Sequence, residues 1–337
     1  MFSSIQDVSL PNVTQPTLVV LWRVVTACPL SCHFCAYSNA LQLPRRVADE
    51  ETIIRFGRLL SQYQTSTGRS VLLSWLGGEP LVWPRLPSVA YKLAADYQLP
   101  LSITTNGLPL EDQAIRDLLR RTHREVTISV DGLAEFHDTV RAKPGLFARI
   151  CRAVQQLRQE APELLLRVNT ILMRDNIEMF PDFCHEMARW GFDQLTFNLL
   201  GGRDRPEFYR DHHVWPEQLA SLFAQWDSLS VDCLSRGLRL MGSVHYRKRL
   251  QRAAHGEPYP IDDCHPGSNF LFIDEFGRVS PCSFTSSTYG ISVDQLQTLD
   301  DFDTIRQLYR SRRAVHRDSA CDDCLATHVF EKFVTSP

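Results

Sequence analysis

The chain has 337 residues, 44% of them hydrophobic and 22% charged, with a formal net charge of -3. That is the composition of a globular protein with room for one large domain or two ordinary ones, and it excludes a disordered chain. The 36 Lys and Arg are spread without a basic block, so nucleic acid is not an expected partner.

The first apolar run, "TLVVLWRVV", is broken by Arg23 and falls far short of the roughly 20 residues of a membrane helix. It has neither a basic leader nor a small-residue cleavage site. A cytoplasmic protein with no membrane partner is expected, and the sequon Asn12-Val13-Thr14 reads as a chance match. Strand-like runs then follow in order: "SVLLSW", "LSITTN", "EVTISVD", "LLLRVNTIL" and "DQLTFNLL". They are short, mostly continuous in apolar residues and rich in branched side chains, which suits strands buried on both faces of a parallel sheet.

Amphipathic stretches separate them. Residues 49 to 63 place Ile53, Phe56, Leu59, Leu60 and Tyr63 on one face, with Asp49 as N-cap. "DQAIRDLLRR", "LFARICRAVQQLRQE", "MFPDFCHEMARWG" and "PEQLASLFAQWDSL" repeat the pattern, and Gly191 is a helix stop. About six strand–helix units predict an α/β fold, a partial (β/α)6 barrel over residues 17–245 after a 16-residue extension. In parallel sheets the chemistry gathers at the C-terminal strand ends. From about residue 246 the pattern changes to a hairpin, "NFLFIDEFGRVSPCS", turned by Asp274, Glu275 and Gly277, then a helix, "LDDFDTIRQLYRSRRAV", then "CDDC". Residues 246–337 therefore read as a small α+β domain.

Ten cysteines are many for a cytosolic chain, where clustered cysteines more often hold metal than form disulfides. Cys28, Cys32 and Cys35 follow the first strand. Structural zinc wants four protein ligands, so zinc here needs His33 or a distant residue; a cubic [4Fe-4S] cluster on three cysteines leaves one iron open.

C-x3-C-x2-C with Phe34 before the last cysteine, after the first strand of a partial barrel, resembles the radical S-adenosylmethionine superfamily. The likeness continues through "GGEP" (Gly77, Gly78, Glu79, Pro80), "TTNG" (with Thr105 and Asn106), "SVDG" with "FHDTVR", and "VNT". It implies that the open iron chelates S-adenosylmethionine, and that "GGEP" sets backbone and a carboxylate against the cofactor's ammonium. By the same resemblance Ser129, Arg141 and Asn169 contact its ribose or carboxylate. Taken singly, each match has a plain reading as a turn, a strand end or a solvated charge; their order at successive strand ends favours the functional one.

Cys264, Cys282, Cys321 and Cys324 form a second group. Four cysteines closing in C-x2-C suit zinc or a fully ligated [4Fe-4S] cluster. The run from Cys264 through Gly277 to Cys282 resembles the SPASM auxiliary-cluster domain, yet after Cys324 the chain offers Thr327, His328 and Phe330 in place of further cysteines. That resembles the shorter twitch domain and implies one auxiliary [4Fe-4S] cluster that carries an electron. Cys151, Cys184 and Cys233 fit apolar helix faces as inert core residues; the sharper alternative is a thiol that gives a hydrogen atom to a substrate radical, with Cys233 kept among the catalytic candidates.

The resemblance implies reductive cleavage of S-adenosylmethionine to a 5'-deoxyadenosyl radical that takes a hydrogen atom from the substrate, the electron arriving from a donor such as flavodoxin or ferredoxin. Oxidation of the substrate radical by the auxiliary cluster would make the net reaction a two-electron oxidation, with Asp262, Asp263 and Asp274 as candidate bases near the auxiliary ligands. Only about sixteen residues precede the first strand, too few for an independent leader-binding domain, so a small molecule such as a sugar, nucleoside or cyclitol is the expected substrate. The alternatives are a peptide, a redox-neutral outcome, or a zinc-stabilised binding protein that is not an enzyme.

Overall fold

The computed structural model describes residues 17–261 and 263–325. Among the described residues ten strands form one sheet: β1 (Leu18–Val25), β2 (Val71–Gly77), β3 (Leu101–Thr105), β4 (His123–Ser129), β5 (Leu165–Leu172), β6 (Gln194–Leu199), β7 (Arg239–Leu240), β8 (Phe270–Ile273), β9 (Arg278–Ser280) and β10 (Ile291–Ser292). The order is β10-β9-β8-β1-β2-β3-β4-β5-β6-β7, parallel from β8 to β7 and antiparallel at β8–β9–β10. The helices are α1 (Glu50–Thr67), α2 (Leu86–Ala95), α3 (Gln113–Thr122), α4 (Ala134–Val140), α5 (Leu146–Glu160), α6 (Phe180–Trp190), α7 (Pro206–His212), α8 (Pro216–Ala224), α9 (Trp226–Ser235), α10 (Val244–Ala254), α11 (Ser286–Tyr289) and α12 (Asp301–Val315).

Local chemistry explains the regular parts. Asp49 caps α1 by accepting from Thr52 N–H at 2.8 Å, and Gly191 ends α6 at φ 91°, a conformation that costs glycine little. Strand side chains alternate between two cores. Leu18, Val20, Trp22 and Val24 join the main core, where Trp22 meets Phe56 edge-on at 5.8 Å. Val19 packs on the other face with Leu72, Phe270 and Phe272. Each such residue contributes roughly 1.5–3 kcal/mol when fully buried.

The second face of the sheet is far more polar than the continuous apolar runs imply. Glu125, Thr127, Arg167 and Thr196 are all buried. Arg167 donates to Gln194 Oε1 at 2.8 Å and reaches both Glu125 oxygens at 3.4 Å, so the charge is paired where it is desolvated.

The chain departs from the sequence expectation in four places. "PEQLASLFAQWDSL" is two helices, α8 and α9, meeting at Gln225. The two-residue β7 is too short to leave a pattern. Residue 246 lies inside α10, and the C-terminal hairpin adds to the barrel sheet through β8 beside β1. Among the described residues no helix is long and apolar enough to cross a membrane.

Candidate active site

The loop after β1 carries Cys28, Cys32 and Cys35, and the glycine pair after β2 supports it. Gly78 N–H donates to Val25 O at 2.7 Å and Glu79 N–H to Ala27 O at 2.8 Å. A Cβ on Gly78 would lie 2.4 Å from Ala27 O and 2.6 Å from Thr26 O, so only glycine lets the two backbones meet. On the other side Arg45 donates to Thr26 O at 3.1 Å and Tyr37 O at 3.3 Å.

Donors point at two of the three sulfurs. Asn106 Nδ2 lies 3.6 Å from Cys28 Sγ, and Tyr37 N–H donates to Cys35 Sγ at 3.3 Å. Burial pushes all three thiols up, Cys32 to about 11, while the Arg141 charge pulls Cys32 and Cys35 back. Protonated thiols must lose their protons to bind metal. Three soft sulfurs in a glycine-floored loop, two of them facing N–H donors, fit an iron–sulfur cluster. Among the described residues no three His, Cys, Asp or Glu side chains gather as a single metal ion requires.

Glu79 is fully buried. One carboxylate oxygen accepts from Asn106 N–H at 2.7 Å, the other from Thr105 Oγ1 at 2.9 Å and Leu81 N–H at 3.1 Å. Desolvation nevertheless pushes its pKa up to about 7. The carboxylate thus ties the ends of β2 and β3 together beneath the cysteine loop.

Arg141 is held by Asp131, a residue of the "SVDG" run that carried no role of its own in the sequence. Its Nε and Nη2 each lie 2.7 Å from Asp131 Oδ2, and Asp131 Oδ1 accepts from Ile171 N–H at 3.0 Å. The guanidinium lies 5.5 Å from the centre of the Phe34 ring, against the cysteine loop. Asp131 N–H donates to His137 Nδ1 at 3.1 Å, and burial holds that imidazole neutral. His137 and Arg141 stand four apart, one above the other on a helix; that spacing within "FHDTVR" was the available signal.

Ser129, at the end of β4, and Asn169, within β5, are neighbours in register. Asn169 Oδ1 accepts from Thr196 Oγ1 at 2.9 Å and from Asn198 Nδ2 at 3.4 Å. Tyr246 of α10 donates to Phe197 O at 3.0 Å and also reaches Asn198. Thr196, Asn198 and Tyr246 were not anticipated, because nothing local marks which strand face points inward.

The second cysteine group gathers from three segments. Cys264, Cys321 and Cys324 pack around Ile261, and Cys282 lies within electrostatic range of Cys264 and Cys324. Burial pushes Cys264 up to about 12 and Cys282 to about 11. Thr285 Oγ1 is 3.2 Å from Cys282 Sγ. Four cysteine sulfurs are the donor set of a fully ligated group.

The catalytic candidates fare differently. Asp274 is buried and accepts from Phe276 N–H, from the backbone N–H and Nε of Arg278 and from Ser286 Oγ at 2.7–3.1 Å, so its acceptor capacity goes into the hairpin turn. Asp263 is exposed and bonded to His265. Cys233 sits in the main core, hydrogen-bonded to Cys184 between α9 and α6, which fits the inert reading. Asp262, and Thr327, His328 and Phe330, lie outside the described residues.

Comparison with known proteins places this geometry. Residues 22–187 match the Radical SAM superfamily. The AdoMet-dependent heme synthase of Methanosarcina barkeri is 23% identical over 80% of this chain and 78% of its own length. The sporulation killing factor maturation protein SkfB of Bacillus subtilis is 25% identical over 80% of this chain and 60% of its own. Streptococcus suis SuiB, solved with S-adenosylmethionine, superposes with TM-score 0.66 at 16% identity, over 94% of this chain and 73% of SuiB; the same protein bound to precursor peptide SuiA gives 0.64 at 16%, over 92% and 70%. The cysteine triplet, the glycine floor and the Arg141 anchor fall inside the matched span, and through residues 22–187 the protein belongs to the radical SAM superfamily.

Proposed function

We propose that this radical SAM enzyme modifies a peptide. Membership of the superfamily brings a [4Fe-4S] cluster and S-adenosylmethionine, and we assign the cluster to Cys28, Cys32 and Cys35. When bound, that pair supplies a hydrogen-abstracting 5'-deoxyadenosyl radical after one-electron reduction.

The chain's own residues do the rest. Gly77 and Gly78 let the cofactor-side loop lie against the cysteine loop, and Asn106 and Tyr37 N–H stabilise thiolate at Cys28 and Cys35. Arg141, fixed by Asp131, offers a cation beside Cys32 for the cofactor's carboxylate or ribose. Ser129 and Asn169 present polar groups from the neighbouring strands β4 and β5. The second group, Cys264, Cys282, Cys321 and Cys324, holds one auxiliary cluster that accepts an electron, making the net reaction an oxidation.

The observation that carries the peptide reading is the extent of the likeness to maturation proteins. SuiB in complex with a precursor peptide shares the fold over 92% of this chain, and SkfB aligns over 80% of it. This supports the alternative to the small-molecule substrate expected from the short N-terminal extension. A second reading, a tetrapyrrole substrate, is favoured by the heme synthase, which aligns over 80% of this chain and 78% of its own length.

The test is 5'-deoxyadenosine formation by anaerobically reconstituted enzyme with dithionite. The probes are a library of serine- and cysteine-bearing peptides and, separately, iron-coproporphyrin III. Peptide-stimulated formation with a mass change on the peptide supports the proposal; stimulation by the porphyrin alone replaces it with the second reading.

A further inference from the structure

Three arginines converge on the second cysteine group, Arg249 from α10, Arg313 from α12 and Arg317 from the loop that leads to Cys321. Arg249 of α10 donates to Cys324 O through Nη2 at 2.9 Å and Nε at 3.3 Å, and also reaches Tyr259 O at 2.5 Å and Pro260 O at 3.3 Å. Arg317 donates to Cys321 O at 3.0 Å and Ile261 O at 2.9 Å. Arg313 of α12 donates to Ile261 O as well. Both cysteines of the C-x2-C pair, and the segment leading to Cys264, therefore have carbonyls held by guanidinium groups.

Neutral donors or water would satisfy those carbonyls equally well. A guanidinium differs because it stays charged at every accessible pH. A group bound by four thiolates becomes more negative by one charge on each one-electron reduction. Fixed cations nearby, in partly desolvated surroundings, favour the more reduced state. Arg249 is half-buried and lies over the Tyr259 ring at 5.4 Å, so water screens it less than the exposed Arg317, which also pairs with Asp322 at 2.8 Å.

We infer that Arg249, assisted by Arg313 and Arg317, is a positioning residue that raises the reduction potential of the auxiliary cluster and so fits it to accept an electron. This rests on the reading that the four cysteines hold such a cluster. The couple takes up one electron, with no bond broken and no proton transferred; dithionite supplies the electron in the test.

The test is an EPR-monitored redox titration of the full chain in a Cys28/Cys32/Cys35→Ala background, where only the auxiliary group gives a signal. Arg249→Gln lowers the equilibrium constant for reduction about tenfold, 59 mV for a one-electron couple, while Arg249→Lys keeps most of the potential. An unchanged potential at full iron content overturns the inference. Should glutamine at 249 cost the cluster, Arg313→Gln, whose bond is to Ile261 rather than a cysteine, carries the comparison, and an unchanged potential there overturns it too. Background protein with no iron, or with zinc and no sulfide, overturns instead the auxiliary-cluster assignment beneath it.

Discussion

Arg23 and Glu275, 252 residues apart in sequence, meet at 2.6 Å between β1 and the C-terminal hairpin turn. The same guanidinium lies 5.3 Å from the Tyr37 ring centre and 5.2 Å from that of Phe272. One side chain therefore joins the cysteine loop, the first strand and the C-terminal region. Glu275→Ala is expected to destabilise the protein by about 1–3 kcal/mol, since both partners are largely buried and Arg23 loses a charged acceptor. Hydrogen exchange should rise first in residues 270–280; uniform exchange across the sheet would show that the pair is not a local strut.

Glu79 makes stability depend on pH. Its folded pKa is raised from an ordinary 4.5 to about 7, so the folded state binds a proton more tightly than the unfolded state. That contribution is fully present below pH 4.5 and is lost as pH rises to about 7, on the order of 3 kcal/mol across the window. Glu79→Gln removes this dependence. Urea titrations of the metal-free protein from pH 5 to 8 should show the wild type weakening relative to the variant as pH rises, and parallel curves would exclude the raised pKa.

Gly78→Ala places a methyl group within 2.6 Å of two carbonyl oxygens. Neither backbone can yield without moving the cysteine loop, so a cost of at least about 1–3 kcal/mol is expected. Iron bound after reconstitution should fall in parallel. Full iron and unchanged stability would mean that the loop is not held by this contact.

Arg141 and Asp131 form a buried pair, with side chains 8% and 0% exposed. Arg141→Gln leaves Asp131 charged and buried, at roughly 3–5 kcal/mol. Adding Asp131→Asn should recover part of that loss, a coupling read by a double-mutant cycle. Strict additivity would show that the two residues act separately.

The Cys28/Cys32/Cys35→Ala variant should hold about four irons against about eight in the wild type. It should form no 5'-deoxyadenosine. Zinc without acid-labile sulfide in the wild type would return the protein to the structural-zinc alternative.

Much of this site could be read along the chain because its parts are local. Cys28, Cys32 and Cys35 lie within eight consecutive residues, Gly77 and Gly78 mark a close backbone approach, and each motif follows a run of strand residues. Capping is local too, which is why Asp49 and Gly191 stand where the pattern put them. What only the tertiary structure decided depends on strand order and on the face each side chain takes. Asn169 became a partner of Thr196 and Asn198 because the parallel pairing of β5 with β6 brings strands distant in sequence into register, and Asp131 became the anchor of Arg141 because the chain turns back through α4. The placement of β8 against β1 likewise depends on pairing across about 250 residues. A sequence records which residues can bond, whereas the partner each one finds is settled by the burial that folding imposes.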